Sequence, residues 1–166
     1  MKKTLLLLRH AKSSWSSPDL LDRYRPLNAR GRKAATRMGR LLNEESLVPD
    51  LVLCSIARRT QETADLVFAQ VPAVPPISLR DDLYHADPLR IGTVVSAVAE
   101  PVQSVLVIGH NPGLEEFLTQ FTGELHPIPT GTLAWIEFEL DTWSRFGKVT
   151  RGTLKRIWRP RELDTD

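Results

Sequence analysis

Three short, mostly apolar stretches stand out along the chain: Thr4–Leu8, Leu51–Cys54 and Val105–Ile108. Charged or small residues bound each stretch, and none of the three alternates between apolar and polar positions. Strands buried on both faces of a sheet show this unbroken pattern, whereas strands with one solvated face alternate. The three stretches therefore predict buried strands of a parallel sheet.

Helical patterns lie between these stretches. Asn28 is a suitable N-cap for a helix over Ala29–Asn43. Five apolar residues of this helix fall on one face: Ala34, Ala35, Met38, Leu41 and Leu42. The periodicity also predicts helices over Ala57–Ala69 and Leu89–Val98. A fourth helix is predicted to be capped by Asn111, to have Pro112 at its first position and to end near Phe121.

The alternation of buried strands with helices predicts an α/β fold with an at least partly parallel sheet. The last third of the chain differs, because Thr132–Leu140 alternates between apolar and polar residues. Thr153–Trp158 is expected to pair with it as an antiparallel hairpin or sheet edge, with Trp143–Gly147 in the connection. The chain has no internal repeat or low-complexity tract, so we predict a single domain over residues 1–166.

Composition narrows the class of protein. The chain has 166 residues, a formal charge of +2 and one cysteine, Cys54. A single cysteine cannot form an internal disulfide, which favours a reducing compartment. The apolar runs are too short to span a membrane. The net charge is too small on its own to argue for nucleic acid or a membrane, and we expect neither as a partner. We expect a cytoplasmic protein, and its oligomeric state is open.

Candidate catalytic residues follow the predicted strands. The first strand ends in Arg9 and His10, the second is followed by Arg58 and Arg59, and the third by His110. Ligands of open α/β sheets bind outside the carboxyl ends of the strands. If the three strands are neighbours, two histidines and at least two arginines meet at one edge of the sheet.

Such a cluster is cationic and has no obvious compensating carboxylate. Arginine side chains bind phosphate oxygens in a bidentate manner, and a helix N-terminus adds N–H donors, so a phosphoryl group is the expected ligand. A neutral imidazole can attack phosphorus and form a covalent intermediate, and neighbouring positive charge lowers its pKa and favours the neutral form. Because guanidinium groups stabilise the developing charge, we expect no metal and no cofactor.

Four sequence elements resemble a known family. Leu8–Ser13 (LRHAKS) is similar to the Arg-His-Gly signature of the histidine phosphatase superfamily, which includes the cofactor-dependent phosphoglycerate mutases. Ser55–Ala64 and Gly109–Asn111 resemble its Ser-x-x-x-Arg-x-x-x-Thr element and its second-histidine motif. LRHAKSSW together with Arg25–Gly31 (RPLNARG) resembles the short SixA-like phosphohistidine phosphatases. Each element alone is weak, but the set in this order is specific.

The resemblance implies roles for individual residues. His10 would be the nucleophile that becomes phosphorylated, and Arg9, Arg59 and His110 would hold the phosphoryl oxygens. The implied fold is phosphoglycerate mutase-like, a three-layer α/β/α sandwich around a mostly parallel sheet, in agreement with the strand and helix pattern. By spacing from the second strand, Arg59 is favoured over Arg58 as the phosphate ligand.

The sequence departs from the family pattern in two places. Ala11 stands where many members carry glycine. The glutamate that protonates the leaving group in larger relatives has no clear counterpart in residues 79–86 (LRDDLYHA), where Asp81 or Asp82 could substitute. An imidazole leaves phosphorus far more readily than an alkoxide, so a phosphohistidine substrate would need little help from such an acid.

Other polar residues have two interpretations. Ser13 and Asn111 could donate hydrogen bonds to the phosphate, but loop stabilisation and helix capping are at least as well supported. His85 and His126 are expected to have ordinary surface or structural roles, and Trp15 to shape the mouth of the site. The seven cations between residues 23 and 40 form a solvated face or, alternatively, a basic approach for an acidic or phosphorylated partner.

The leading hypothesis is a metal-independent phosphatase that acts through phospho-His10. The favoured substrate is phosphohistidine on a protein, and a small phosphomonoester is the alternative within the same family. A non-catalytic module that only binds phosphorylated ligands is the competing hypothesis, because the proton donor is not identified. A mutase is less favoured, since transfer back to a hydroxyl needs a well-placed acid.

Overall fold

The computed structural model describes residues 1–148 and 151–163. These residues contain one six-stranded sheet and four α-helices. The strands are Lys2–Arg9 (β1), Leu51–Ser55 (β2), Ile77–Arg80 (β3), Ser104–Gly109 (β4), Leu133–Glu139 (β5) and Thr153–Trp158 (β6). The helices are Ala29–Glu44 (α1), Arg58–Phe68 (α2), Pro88–Ser96 (α3) and Gly113–Thr122 (α4). The single-domain prediction also covers residues 149, 150 and 164–166, which lie outside the described residues.

The order of the strands in the sheet is β3-β2-β4-β1-β5-β6. β1 to β4 are parallel, whereas β5 pairs antiparallel with β1 and β6 antiparallel with β5. The α/β class, the mostly parallel sheet and the antiparallel hairpin are thus confirmed. Because β2, β4 and β1 are neighbours, their carboxyl ends lie side by side at one edge of the sheet.

Helices cover both faces of the sheet and produce three layers. In β1, Leu5 and Leu7 belong to the core beneath α3 and α4, while Leu6 and Leu8 belong to the core beneath α1 and α2. All four leucines are fully buried. Burial of one leucine side chain contributes roughly 1.5–3 kcal/mol, which explains why the central strand is a continuous apolar run.

Two glycines let α1 approach its neighbours closely. A Cβ atom at Gly31 would lie 2.1 Å from the carbonyl oxygen of Lys12, and one at Gly39 would lie 2.2 Å from that of Val67. Asn28 caps the helix as predicted, because its side chain accepts a hydrogen bond from the Gly31 amide. α1 is therefore seated directly on the loop that follows β1 and on α2.

Two predictions of local structure need correction. α4 begins at Gly113, so Pro112 precedes the helix and is not its first residue, although Asn111 still accepts a hydrogen bond from the Glu115 amide. β3 was not predicted, because its four residues are only partly buried or exposed and form the edge of the sheet. A short edge strand carries too little apolar pattern to be recognised.

The substitution Gly39→Ala tests the close approach of α1 to α2. Alanine favours a helix over glycine by about 1 kcal/mol, but overpacking against the Val67 carbonyl costs typically 1–3 kcal/mol. We expect a net decrease in the free energy of unfolding, measured by urea denaturation. Gly92→Ala in α3 is the matched control, because a Cβ there meets nothing within 4 Å, and it should stabilise the protein. Equal stabilisation by both substitutions would contradict the packing described.

Candidate active site

The carboxyl ends of β1 and β4 bring two histidines together. The His10 amide donates a hydrogen bond to the Gly109 carbonyl (3.1 Å), which continues the β1–β4 pairing by one residue. The imidazole rings of His10 and His110 have their centroids 5.3 Å apart. Arg59, in the first turn of α2, places its Nη2 atom 3.4 Å from His110 Nδ1. The residues expected to converge therefore do so.

His10 is buried and held in one tautomer. Its Nδ1 atom lies 2.7 Å from the carbonyl oxygen of Ala11. A carbonyl can only accept, so Nδ1 carries the hydrogen and Nε2 keeps its lone pair. Ala11 is itself fixed, because its amide donates to Thr63 Oγ1 (3.0 Å), whose hydroxyl donates to the Arg59 carbonyl (2.6 Å).

His110 has the opposite tautomer. Because the Arg59 guanidinium can only donate, His110 Nδ1 accepts, and Nε2 carries the hydrogen that it donates to Ser55 Oγ (2.8 Å). Ser55 Oγ also accepts from the Ala57 amide at 3.3 Å. The first turn of α2 thereby orients the second histidine as well as the first.

Both histidines are uncharged at neutral pH. The pKa of His10 is lowered to about 4, mainly because the imidazole is buried. The positive charges of Arg59 and Arg9 lower this pKa further, whereas the hydrogen bond to the Ala11 carbonyl raises it. Burial likewise lowers the pKa of His110 to about 2, with further contributions from His10 and Arg59. A neutral imidazole with an available Nε2 lone pair is the form required of a nucleophile.

Two arginines carry unpartnered donors. The Nε atoms of Arg9 and Arg59 are buried and have no hydrogen-bond partner in the part of the chain that the structure describes. Arg9 is anchored by a hydrogen bond from Nη1 to the Ile128 carbonyl (3.1 Å). Buried N–H donors without an acceptor are costly, and an oxyanion supplies the acceptors they lack. By contrast, Arg58 forms a surface ion pair with Glu62, as expected of a solvated helix residue.

A carboxylate that the sequence analysis missed completes the cluster. Asp22 Oδ2 accepts hydrogen bonds from Arg59 Nη2 (3.0 Å) and the Tyr84 hydroxyl, and lies 3.3 Å from His85 Nε2. The expectation of a cluster without a compensating carboxylate is therefore wrong. Burial opposes ionisation of Asp22, but the hydrogen bonds from Tyr84 and Arg59 outweigh it and hold the pKa of this carboxyl well below its usual range.

Arg25 adds a third guanidinium to the site. It is buried, its Nε atom donates to Asp22 Oδ1 (3.2 Å), and its charge contributes to the lowered pKa of His10. The guanidinium carbon lies 3.5 Å from the centre of the Trp15 ring, whose outer face is exposed. Trp15 acts on the site by supporting Arg25. The signal for Arg25 was its place in the RPLNARG motif, Arg25–Gly31.

His85 was expected to be an ordinary surface residue and instead lies against the cluster. Its ring centroid is 5.3 Å from that of His110, and its Nε2 atom is 3.4 Å from Arg59 Nη2. The backbone of His85 is in the left-handed region with φ of 51°, which is uncommon for a residue other than glycine and concentrates at functional sites. Nothing in the sequence pattern indicates this conformation.

Of the two aspartates suggested as proton donors, Asp82 has its carboxylate engaged elsewhere. Asp82 forms a two-point ion pair with Arg80, Nε to Oδ1 at 3.0 Å and Nη2 to Oδ2 at 2.6 Å. Asp81 begins a 3-10 helix, Asp81–Leu83, and its carbonyl accepts from the Tyr84 amide. Two other titratable groups of this loop, Tyr84 and His85, contact Arg59.

Ser13 and Asn111 occupy structural positions. Asn111 Nδ2 donates to the Ile128 carbonyl (2.8 Å) and to Glu115 Oε1 (3.0 Å). These two hydrogen bonds orient the side chain of Asn111 and fix the start of α4. The backbone of Ser13 forms an antiparallel bridge with Leu27. For both residues the structure supports loop stabilisation.

Neither a metal centre nor a membrane span is found in residues 1–148 and 151–163. No three histidine, cysteine, aspartate or glutamate side chains there are grouped as ligands for a metal ion. No helix of this part of the chain has the length and apolar character to cross a bilayer.

Comparison with known proteins places this geometry in a family. A model of the histidine phosphatase superfamily (branch 1) matches residues 5–87, half of the chain. An uncharacterized chloroplastic protein of Arabidopsis thaliana is 30% identical over 155 residues, which cover 86% of this chain and 70% of that protein.

Two solved structures are also similar. A candidate phosphohistidine phosphatase SixA from Nakamurella multipartitia superimposes with a TM-score of 0.86 and 26% identity, covering 96% of this chain and 97% of that chain. Another, from Agrobacterium tumefaciens, has a TM-score of 0.82 and 30% identity, covering 95% and 98% of the two chains. The phosphoglycerate mutase-like three-layer fold is thereby confirmed. The chain belongs to the histidine phosphatase superfamily (branch 1) and is a phosphatase enzyme.

Proposed function

We propose that this phosphatase removes the phosphoryl group from phosphohistidine on a protein, with His10 as the nucleophile. The observation that carries the proposal is the state of His10: a buried, uncharged imidazole whose Nδ1 hydrogen is committed to the Ala11 carbonyl and whose Nε2 lone pair is available. Three guanidinium groups, those of Arg9, Arg25 and Arg59, lie close enough to His10 for their charges to lower its pKa, and they can bind phosphoryl oxygens.

The reaction has two steps. In the first, His10 Nε2 attacks phosphorus, the bond between phosphorus and the substrate imidazole breaks, and its electron pair stays on the leaving nitrogen, which takes a proton. In the second, water attacks the phosphorus of phospho-His10, the bond between phosphorus and Nε2 breaks, its electron pair returns to Nε2, and inorganic phosphate leaves with the oxygen of the water. The guanidinium groups of Arg59 and Arg9 stabilise negative charge on the equatorial oxygens in both steps, which is the usual basis of phosphoryl-transfer catalysis.

Exposed apolar side chains at the rim of the site support the proposal that the substrate is a protein. Exposed apolar side chains flank the residues that reach into the site: Leu21 is 68% exposed beside Asp22, and Trp15 is 77% exposed over Arg25. Leu20 and Tyr24 continue this surface. Exposed apolar and aromatic residues that cluster mark contact surfaces for other proteins. The two similar solved structures, described as candidate phosphohistidine phosphatases, support the same substrate class.

A small phosphomonoester is the second candidate, and His85 is the observation that favours it. His85 Nε2 faces both a donor, Arg59 Nη2, and an acceptor, Asp22 Oδ2. Both hydrogens of Arg59 Nη2 are directed to Asp22 and His110, so His85 Nε2 carries a hydrogen that it directs to Asp22 Oδ2. Its ring is half exposed at the mouth of the site. We therefore assign His85 as the proton donor for leaving groups poorer than imidazole.

The substitution His10→Ala tests the covalent mechanism. Loss of a nucleophile should lower turnover by at least about a thousandfold, and 32P label from a phosphohistidine protein should no longer become attached to the enzyme. The measurement is single-turnover labelling quenched in alkali, in which phosphohistidine survives. His126→Ala is the control, because His126 pairs with Glu124 on the surface and should leave labelling unchanged. Full turnover by His10→Ala would end the assignment.

Stability should depend on pH because of the two buried histidines. The unfolded chain takes up a proton on each near pH 6.5, whereas the folded protein does so only near pH 4 at His10 and pH 2 at His110. The free energy of unfolding should therefore be fully present above pH 6.5 and fall as the pH drops from 6.5 towards 4. Urea denaturation at pH 7.5, 6 and 5 measures this slope. His10→Asn should reduce the slope and His126→Asn should not; a flat profile would contradict neutral, buried histidines.

The role of His85 is tested with leaving groups of different quality. Loss of a proton donor lowers the rate roughly 10²–10⁴-fold where the leaving group needs acid assistance. His85→Ala should therefore lower kcat/KM for phenyl phosphate by about a hundredfold. For 2,4-dinitrophenyl phosphate, whose leaving group needs little assistance, the decrease should be only about threefold. Asp82→Asn is the matched control for the alternative acid and should show no such difference. Equal loss on both substrates would mean that His85 only positions its neighbours.

A further inference from the structure

We propose that a basic cleft beside the active site binds the acidic surface of the protein whose phosphohistidine is the substrate. This inference rests on the proposed function and names the kind of partner. The basic cleft has a volume of about 530 Å³ and lies between α1, the loop at residues 129–130 and the segment at residues 160–163. Five cationic side chains line it: Lys12, Arg30, Lys33, Arg37 and Arg161. None of the described residues that line the cleft is acidic.

Most of these charges are not neutralised within the molecule. Lys12, Arg30, Lys33 and Arg161 form no ion pair in residues 1–148 and 151–163. Some other surface cations do form ion pairs, as Arg58 does with Glu62 and Lys155 with Glu137. The basic cleft therefore keeps a net positive potential that an anionic partner can meet.

The positions of these cations disfavour folding. Arg30 and Lys33 lie among the first five residues of α1, and the first turn of this helix contains no acidic residue. Positive charge at a helix N-terminus opposes the helix dipole. Lys33 is also three residues from Arg30 and four from Arg37, the spacings at which like charges repel along a helix face. Because this arrangement of cations destabilises the free protein, it points to a ligand that the cations bind.

The basic cleft adjoins the nucleophile through the backbone. Lys12 follows His10 by two residues, so their Cα atoms are at most about 7.6 Å apart. On the other side, Thr130 lines the cleft and the next residue, Gly131, donates its amide to the His10 carbonyl at 2.9 Å. A partner bound in the cleft would therefore lie against the loop that carries His10.

An acidic protein surface fits the basic cleft better than a nucleic acid does. Single-stranded nucleic acids are bound by aromatic side chains that stack on bases, and none of the described residues that line the cleft is aromatic. Its apolar members, among them Pro129, Pro160 and Leu163, suit the aliphatic parts of protein side chains. Glutamate or aspartate side chains would supply the carboxylates that pair with the lysines and arginines.

The test compares two phosphohistidine peptides of equal length, one flanked by four glutamates and one by four serines. At low salt we expect a KM about tenfold lower for the glutamate peptide, the effect of about 1.4 kcal/mol of charge attraction, and the preference should fade as salt is raised. The double variant Arg30→Glu/Lys33→Glu should abolish the preference while leaving kcat and the KM for the serine peptide unchanged. The same variant should melt at a higher temperature, because acidic residues at a helix N-terminus stabilise it.

The control is Arg40→Glu/Arg145→Glu, which makes the same charge change at exposed residues that do not line the basic cleft. If this control removes the preference equally, or if the wild type shows no preference, the cleft is not the docking site. Inhibition by duplex DNA or by anionic vesicles, without inhibition by polyglutamate, would also overturn the proposal. Failure of the proposed function is distinguishable, because then neither peptide is dephosphorylated and His10 is not labelled.

Discussion

The parallel hydrogen bonding of β1 to β4 determines where the two histidines stand. Arg9 is opposite Gly109 in the register, and the bond from the His10 amide to the Gly109 carbonyl extends the pairing to the first residue beyond the strands. His110 is the next residue after Gly109. A shift of one residue in this register would reverse the faces to which the side chains of β1 point. The same leucines that fill the two cores therefore also set the spacing of the imidazoles.

The positions of His10, Arg59 and His110 could be inferred from the sequence because they depend on buried strands, whose apolar pattern is strong and whose carboxyl ends coincide. Asp22 and His85 could not be inferred in this way. They lie in loops or short 3-10 helices, which have no hydrophobic periodicity. Their contacts join residues far apart in sequence, as Asp22 and Arg59 are by 37 positions. For His85 the left-handed backbone depends on tertiary packing and has no sequence signal of its own.

Charge balance explains why the cluster needs Asp22. Three guanidinium groups close to two buried imidazoles would repel one another strongly at low local dielectric. The carboxylate bonds Arg59 through one oxygen and Arg25 through the other, and also accepts from Tyr84. It therefore fixes the orientation of both arginines before a substrate arrives. Preorganised donors of this kind need no rearrangement at the moment of reaction.

The bond between Asp22 and Arg59 also affects how long inorganic phosphate stays after hydrolysis. A phosphate dianion that reaches Arg59 meets a guanidinium already engaged by a negative group, and the two anions repel. This weakens retention of the product relative to a cluster of arginines alone. The carboxylate that orients the arginines thus also favours departure of the product, which frees the enzyme sooner for its next substrate.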